Sequence, residues 1–243
     1  KLERRIAQIG LSGFEEYLLR VRQDPTEQNH LAKILTITIS RFFRDREVFR
    51  VLETSLLPAI TKDKKEGDLR IWSIGCASGE EPCSLALLWK NSFERNWPQI
   101  HFSVLATDID EKMLRRAEEG RYKKSSLRET PQEILENCFK KENGFFILNP
   151  SVKKSVEFKR HDILREELFP GMDIIFCRNL AFTYFSKESQ MKVLKKISSS
   201  LKEKGYLVIG RDESLPLVYP TLFVPIFPAQ KIYKRFSGVL NLL

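Results

Sequence analysis

The sequence predicts an α/β fold in which a mostly parallel sheet follows a helical N-terminal region. From Leu69 onward, short apolar segments such as LRIWSIG, FSVLATD and DIIFCRN alternate with segments of helical periodicity, and this alternation is typical of strand–helix–strand units. Upstream of Leu69 the patterns are helical. A length of 243 residues and a hydrophobic content of 42% are sufficient for one large domain, or for a main domain with a small appendage.

The N-terminal region has the pattern of consecutive helices. One helix is predicted by apolar residues that recur at steps of three and four, namely Leu11, Phe14, Tyr17, Leu18 and Val21. Asp24-Pro25 interrupts that pattern, and a second helix is predicted over residues 27–39. Asp45 is expected to cap a third helix that runs to about Leu57.

The polar stretch TKDKKEGD that follows is turn-like and marks a domain boundary. We therefore assign residues 1–57 to a helical N-terminal domain and its linker, and residues 58–243 to the domain that contains the sheet. Because the chain starts on a lysine, we expect the helical domain to be shortened at its start.

Within the second domain, helix ends can be read from their capping residues. Asp110 precedes a helix predicted over 111–119, and Gly205 follows a helix predicted over 187–204. Two segments interrupt the alternation of strands and helices. The first is a polar helix followed by GFFILNPSVKKSVEF, which we expect to form a hairpin that turns near Asn149-Pro150. The second comprises LFVPIF and QKIYKRF, which are expected to close the domain as a pair of strands.

Charge and cysteine usage narrow the class of protein. The net charge is +9, but acidic and basic residues are interleaved, which favours a solvated basic surface or an acidic protein partner over nucleic acid. The four cysteines and three histidines are dispersed, so we expect no metal site, and reduced, buried thiols indicate a cytoplasmic protein. No apolar run approaches the ~20 residues of a transmembrane helix, and no transmembrane segment is expected.

The stretch IWSIGCASGEEP, residues 71–82, has the form of a ligand-binding loop. Dinucleotide and P-loop sites present glycines and backbone amides to phosphate, but here Glu80 and Glu81 follow Gly75 and Gly79. Their charge would repel a pyrophosphate. A ligand with a cationic amine and a ribose but no phosphate fits better, and S-adenosylmethionine is such a ligand. The alternative is that both glutamates are ordinary acids in the first turn of a helix.

A further carboxylate supports the same ligand. FSVLATD ends on Asp108, at the carboxyl end of the neighbouring predicted strand, where a carboxylate can accept hydrogen bonds from a ribose diol. The alternative is that Asp108 only assists Asp110 at the start of a helix. The loop, its glutamates and Asp108 together predict a site for S-adenosylmethionine.

Four other segments carry a family resemblance: RFFRD (41–45), GRY (120–122), FCRN (176–179) and GRDES (210–214). With the loop, they make the chain resemble the CheR family of S-adenosylmethionine-dependent protein-glutamate O-methyltransferases. The resemblance implies a Rossmann-like class I methyltransferase domain, a small helical N-terminal domain and an inserted small β-subdomain near 144–160. It also implies that S-adenosylmethionine is converted to S-adenosylhomocysteine. The implied partner is an acidic protein with glutamate acceptors, as on chemotaxis receptors.

The same resemblance implies roles for individual residues. At the cofactor, Glu80 holds the aminoacyl end, Asp108 the ribose, residues 162–163 the adenine, and residues 178–179 the region near the methyl group. The full set implied to bind the cofactor is Thr38, Ser40, Arg44, Gly75, Glu80, Asp108, Asp162, Ile163, Arg178 and Asn179.

On the acceptor side, the resemblance implies catalytic roles for Arg44 and Tyr184. A glutamate carboxylate has a pKa of about 4.3 and is ionised at neutral pH, so it needs no general base, and an arginine can orient both of its oxygens. Four residues separate Asn179 from Tyr184, where the family usually has three. Tyr184 is therefore alternatively a core aromatic residue.

Arg211 is a second departure, since the family commonly has a histidine at this position after the last parallel strand. The acceptor-side residues thus diverge more than the cofactor residues. Two other functions stay open at this point: methyl transfer to RNA or a small molecule, and a non-catalytic interaction protein that binds the cofactor.

Overall fold

The computed structural model describes residues 2–35, 40–217 and 219–236. The chain forms two compact units, residues 1–39 and 40–243. Among the described residues, none of the helices combines the length and the apolar character that crossing a membrane requires.

The boundary between the two units lies earlier in the chain than the sequence pattern predicted. Residues 40–57, which were assigned to the helical domain and linker, belong to the second unit. Phe42, Phe49 and Leu52 from this segment are buried in the same apolar cluster as strand residues such as Ile71. A segment with this much buried apolar surface is part of the core of the second unit and not a linker.

The first unit contains helices α1 (Leu2–Gln8), α2 (Phe14–Gln23) and α3 (Pro25–Leu35). One residue from each helix contributes to a buried hydrogen-bonded group. Glu27 accepts two hydrogen bonds from Arg5, at 2.9 and 2.6 Å, and a third from the Tyr17 hydroxyl at 2.9 Å. The Arg5 guanidinium lowers the pKa of the Glu27 carboxyl to about 2. Thus an ion pair contributes to the packing of these three helices.

The second unit begins with a helical run in three parts: α4 (Arg46–Val51), a π-helical segment (Leu52–Leu56) and α5 (Leu57–Lys64). Asp45 precedes α4, but the expected cap is wrong. Its backbone is left-handed, with φ 62°, and its side chain accepts no hydrogen bond from the helix. The carboxylate instead pairs with the Arg178 guanidinium, and a charged partner outweighs a backbone amide.

The strands, in chain order, are β1 (Gly67–Ile74), β2 (Ile100–Asp108), β3 (Arg121–Tyr122), β4 (Phe139–Glu142), β5 (Phe145–Leu148), β6 (Val156–Arg160), β7 (Met172–Cys177), β8 (Leu201–Ile209), β9 (Phe223–Phe227) and β10 (Ile232–Arg235). Seven of them form one sheet in the order β6-β2-β1-β7-β8-β10-β9. β6, β2, β1, β7 and β8 are parallel, and β10 is antiparallel to both β8 and β9. The predicted parallel sheet and closing pair of strands are confirmed.

The remaining helices are α6 (Glu80–Ser92), α7 (Glu111–Glu119), α8 (Gln132–Cys138), α9 (Pro150–Lys153), α10 (Ala181–Tyr184) and α11 (Lys187–Ser200). Apolar side chains cover both faces of the sheet, since successive residues Ile71 and Trp72 of β1 enter different buried clusters. The predicted end of α11 is wrong: the helix stops at Ser200 because Leu201 already pairs with Met172 of β7.

A second sheet forms the β-subdomain, with strand order β3-β5-β4. The predicted turn at Asn149-Pro150 is wrong, since the β4–β5 hairpin turns at Asn143-Gly144, where both residues have positive φ, as a tight hairpin turn requires. Asn149 instead caps α9 by accepting a hydrogen bond from the Ser151 amide at 2.9 Å. The segment VEFKR, expected in the hairpin, is β6 of the main sheet.

Candidate active site

The polar residues singled out by the sequence meet at one edge of the main sheet. Because β6, β2, β1 and β7 are neighbouring parallel strands, their carboxyl ends lie side by side, where open α/β sheets bind ligands. Asp162 follows β6, Asp108 ends β2, Glu80 follows β1, and Arg178 follows β7. The strand order therefore brings together residues that are far apart in the sequence.

The loop between β1 and α6 is tightly folded against its neighbours. The Gly75 amide donates to the Thr107 carbonyl at 2.7 Å. Gly75 has φ +73°, and an added Cβ would lie 2.7 Å from the Leu180 side chain. Ala77 also adopts positive φ, 49°, which is uncommon for a residue with a side chain. The loop therefore has no room for a side chain at Gly75.

The two glutamates of the loop point to different partners. Glu80 is 3% exposed, and its carboxylate accepts hydrogen bonds from the hydroxyls of Ser78, at 2.9 Å, and Ser126, at 3.3 Å. Glu81 accepts from the Ser73 hydroxyl at 2.8 Å and from Arg178 at 3.2 Å. Both charges lie at the N-terminus of α6, where a helix would otherwise attract an anion. The site is thus suited to a ligand with cationic and hydroxyl groups.

Asp108 ends β2 and contacts the loop that follows β1. Its Oδ2 accepts from the Ala77 amide at 2.8 Å, and its Oδ1 accepts from the Asp110 amide at 2.9 Å. Burial raises the pKa of the carboxyl, and these backbone hydrogen bonds oppose that shift. The residue is half-buried, and each oxygen retains a lone pair for a hydroxyl donor.

The segment after β6 lies directly beside Asp108, because the His161 amide donates to the Asp108 carbonyl at 3.0 Å. The Asp162 carboxylate accepts from the Leu164 amide at 2.9 Å and thus stabilises a turn of its own loop. Ile163 is 5% exposed and belongs to the apolar cluster that contains Trp72. The loop accordingly presents a fixed backbone and an apolar base.

Arg178 fixes the RFFRD segment against the start of α6. Its guanidinium pairs with Asp45 and Glu81, and donates to the Arg44 carbonyl at 3.1 Å. The side chain is nearly inaccessible to solvent, and within the described part of the chain its Nε has no hydrogen-bond partner. Arg178 therefore connects three segments, and this role was not deduced from the sequence.

Glu213 is a buried residue of the site that sequence reasoning missed. It lies in the GRDES segment and is 3% exposed. Its Oε2 accepts from the amides of Asn179, at 2.9 Å, and Gly210, at 2.6 Å, and its Oε1 accepts from the Thr183 hydroxyl at 2.6 Å. Asn179 is held there with φ 55°. The signal available in the sequence was an acidic residue, Glu213, three positions after Gly210, the glycine that follows the last parallel strand.

The residues predicted for the acceptor side lie on α10 and in the segment before α4. Tyr184 lies on α10 and is 52% exposed, so it is not a core aromatic residue, whereas Phe182 is buried. Ser40 and Arg44 are half-buried in the segment that leads to α4. Thr38 lies outside the described residues.

In the described part of the chain, the parallel sheet has carboxylates and no phosphate-binding loop at its carboxyl edge, as expected of an S-adenosylmethionine-dependent methyltransferase. The family model for the SAM-binding domain of CheR methyltransferase matches residues 38–227. The chain belongs to the CheR family and is an S-adenosylmethionine-dependent methyltransferase. The carboxylates of Glu80 and Asp108 are hydrogen-bond acceptors, which fit the ammonium and ribose hydroxyl donors of that cofactor.

Similar proteins span most of the chain. The chemotaxis protein methyltransferase of Listeria monocytogenes is 34% identical over 202 residues, which cover 83% of this chain and 75% of that protein. A probable chemotaxis protein methyltransferase of Rhizobium etli is 32% identical over 221 residues, covering 88% and 82%. Among solved structures, the SAM-bound amino pentose methyltransferase CalS10 of Micromonospora echinaspora matches with a TM-score of 0.38 and 14% identity, covering 66% of this chain and 50% of that one.

Proposed function

We propose that this methyltransferase transfers the methyl group to a carboxylate, the side chain of a protein glutamate. The observation that carries the proposal is the position of the Arg44 backbone at the carboxyl edge of the sheet. Arg178 donates to the Arg44 carbonyl at 3.1 Å and to Glu81, at the start of α6, at 3.2 Å. An arginine placed there can bind both oxygens of a carboxylate. The names of the relatives support the same acceptor class.

The order of groups along the edge agrees with the shape of the cofactor. We assign the aminoacyl end to Glu80, the ribose to Asp108 and the adenine to the loop that contains Asp162 and Ile163. These residues lie at the carboxyl ends of β1, β2 and β6, which are consecutive neighbours in the sheet. The three parts of the ligand, connected in the same order, can therefore lie along three adjacent strand ends.

The remaining cofactor contacts are assigned to the other side of β1. Gly75 provides close backbone approach, and Arg178 and Asn179 follow β7, the next strand along the sheet. Thr38, Ser40 and Arg44 complete the proposed set from the segment that precedes α4.

Placement of the reactants is the main catalytic task. S-adenosylmethionine supplies a methyl carbon attached to a positively charged sulfur. A glutamate acceptor has a pKa of about 4.3 and is already ionised, so no residue of the chain has to remove a proton. Holding two reactants in line can lower a barrier by several kcal/mol, up to ~10. We assign this orienting role to Arg44, with Tyr184 on the exposed side of α10 as an acceptor contact.

We further propose an acidic protein partner and a cytoplasmic location. The net charge of +9 favours association with an acidic surface. The described cysteines are free thiols, and Cys76, Cys83 and Cys177 are buried. Unpaired buried thiols agree with a reducing compartment.

The test is to incubate the protein with methyl-labelled S-adenosylmethionine and lysate from its source, and then to treat the labelled macromolecules with mild alkali. We expect the label to be released as volatile methanol, because carboxyl methyl esters hydrolyse under these conditions. Arg44→Lys is expected to lower kcat/KM for the acceptor by at least tenfold, since a lysine cannot bind both oxygens in one plane.

The matched control is Arg50→Met, which changes an exposed arginine of α4 that pairs only with Glu47 within the described structure. It is expected to methylate at the wild-type rate. Alkali-stable label would contradict the proposal and indicate a nitrogen acceptor or RNA. In that case the role of Arg44 as a carboxylate ligand would be abandoned.

A further inference from the structure

Lys196 of α11 directs its ammonium group at the backbone of a single loop. Its Nζ donates to the carbonyls of Ile163, at 2.9 Å, Leu164, at 3.3 Å, and Glu166, at 2.9 Å. A lysine ammonium has three donors and no acceptor. All three are therefore used on the connection between β6 and β7.

The position of Lys196 is itself fixed by packing. On α11 the apolar residues Val193, Leu194 and Ile197 are buried in the cluster that covers one face of the main sheet. Lys196 lies next to Ile197 and is half-buried, whereas its other neighbour, Lys195, is exposed. The ammonium group thus extends from a rigid helix to a loop.

Residues 162–166 of this loop also make contacts within the loop and with neighbouring elements. Within the loop, the Asp162 carbonyl accepts from the amides of Arg165, at 3.1 Å, and Glu166, at 2.9 Å, so these bonds shape the turn without tying it to the sheet. Outward connections come from the buried Ile163 side chain, from the His161 amide, which donates to the Asp108 carbonyl, from the ion pair between Glu166 and Arg160 of β6, and from Lys196. Removing the ammonium would leave three carbonyls without their charged donor, and charge-assisted hydrogen bonds are the stronger ones.

This loop is the one assigned above to the adenine. We propose that Lys196 is a positioning residue for the cofactor. By binding carbonyls of the loop, it keeps residues 162–166 in the position in which their backbone and the Ile163 side chain contact the adenine ring. The proposal rests on the adenine assignment within the proposed function. Lys196 itself touches carbonyl groups and not the cofactor.

The test uses Lys196→Met in the full chain, with Lys195→Met as the matched control. Methionine keeps an unbranched side chain and good helix propensity while removing the donors. Dissociation constants are measured for S-adenosylhomocysteine and for methylthioadenosine, which contains the adenosine part but lacks the amino acid. We expect Lys196→Met to weaken both ligands by a similar factor of about ten, and Lys195→Met to change neither.

A Glu80→Gln variant gives the contrast at the opposite end of the ligand. It should weaken S-adenosylhomocysteine and leave methylthioadenosine unchanged, because Glu80 is assigned to the aminoacyl group. If Lys196→Met binds both ligands as tightly as the wild type, or weakens only S-adenosylhomocysteine, the positioning role is overturned. KM for S-adenosylmethionine should rise with little change in kcat.

A measurement on the wild-type protein does not depend on the folding of any variant. Hydrogen exchange of the amides of Leu164, Arg165 and Glu166 is followed with and without S-adenosylhomocysteine. Slower exchange with the ligand supports the proposal, and unchanged exchange overturns it. Neither the dissociation constants nor the exchange measurement requires a methyl acceptor, so a failure to form glutamate methyl esters would contradict the proposed function without affecting these two results.

Discussion

At the scale of single residues, Arg178 shows why burial and pairing have to be considered together. A buried arginine is costly to desolvate, and its two carboxylate partners offset that cost only while all three groups are present. Asp45 and Glu81 come from segments more than 30 residues apart in sequence. One guanidinium therefore holds the RFFRD segment at the site.

The first prediction concerns this cation. Arg178→Met leaves the Asp45 and Glu81 carboxylates without their partner, and we expect the free energy of unfolding to fall by about 3 kcal/mol. Urea denaturation measures the change. Arg50→Met, which removes an exposed ion pair with Glu47, should cost far less. Equal losses for the two variants would mean that the Arg178 network does not stabilise the fold.

The second prediction concerns Glu27 and acid stability. The pKa of this carboxyl falls from the model-compound value of 4.5 to about 2 in the folded chain, so folding favours the ionised form. Its stabilising contribution is fully present above pH 4.5 and is lost as the pH falls toward 2. Glu27→Gln should flatten the pH dependence of unfolding in this window. Glu3→Gln, at an exposed site of α1, serves as the control and should retain it.

At the scale of elements, the connections after the parallel strands determine the shape of the site more than the strands do. Glu213 joins the connection after β8 to the one after β7, which contains the additional residue before Tyr184. In the short helix α10, the Thr183 hydroxyl donates to Glu213, whereas Tyr184 is exposed to solvent. Two successive residues of α10 thus differ in whether they face the buried carboxylate or the solvent.

The third prediction tests this connection. Glu213→Leu removes the acceptor of two backbone amides, from Asn179 and Gly210, and we expect the free energy of unfolding to fall by about 2 kcal/mol or more. Glu213→Gln should be much milder, because its amide oxygen can still accept both N–H groups and its NH₂ can donate to the Thr183 hydroxyl. Thermal unfolding of both variants measures the difference. Similar losses would show that the charge, and not the acceptor geometry, is what matters.

At the scale of the whole molecule, the two compact units differ in how they are stabilised. Among the described residues, the two buried apolar clusters lie entirely between Phe42 and Tyr233. Of the side chains that the structure describes in the first unit, Tyr17 is buried, and its hydroxyl donates to Glu27 of the Arg5–Glu27 pair. The larger unit therefore contains its own hydrophobic core.

The fourth prediction follows from that distribution. A fragment of residues 40–243 should unfold cooperatively, because it contains both core clusters. A fragment of residues 58–243, cut at the boundary that the sequence suggested, lacks Phe42, Phe49 and Leu52 from the core and should not fold stably. Circular dichroism melting distinguishes the two fragments. A stable fold for the shorter fragment would support the boundary at residue 57.

The local features that were predicted correctly all depend on short-range interactions. The parallel sheet, the helix over 111–119 and the interruption at Asp24-Pro25 follow from periodicity, caps and proline geometry within a few residues. The prediction that Glu80 and Glu81 disfavour a phosphate ligand likewise depends only on the charges of adjacent residues. Residue preferences were less decisive for locating the hairpin turn, since the hairpin turns at Asn143-Gly144 and not at Asn149-Pro150.

By itself, the sequence determined the fold class, the cofactor and the strand ends at which the candidate cofactor-binding residues lie. These features depend on local pattern and on the parallel order of strands. Only the tertiary structure decided that Arg178 binds Asp45, that Glu213 holds Asn179 and that Lys196 attaches to the loop after β6. Each of these contacts joins residues 30 or more positions apart. Such pairings are set by how helices and strands pack, which no local pattern specifies.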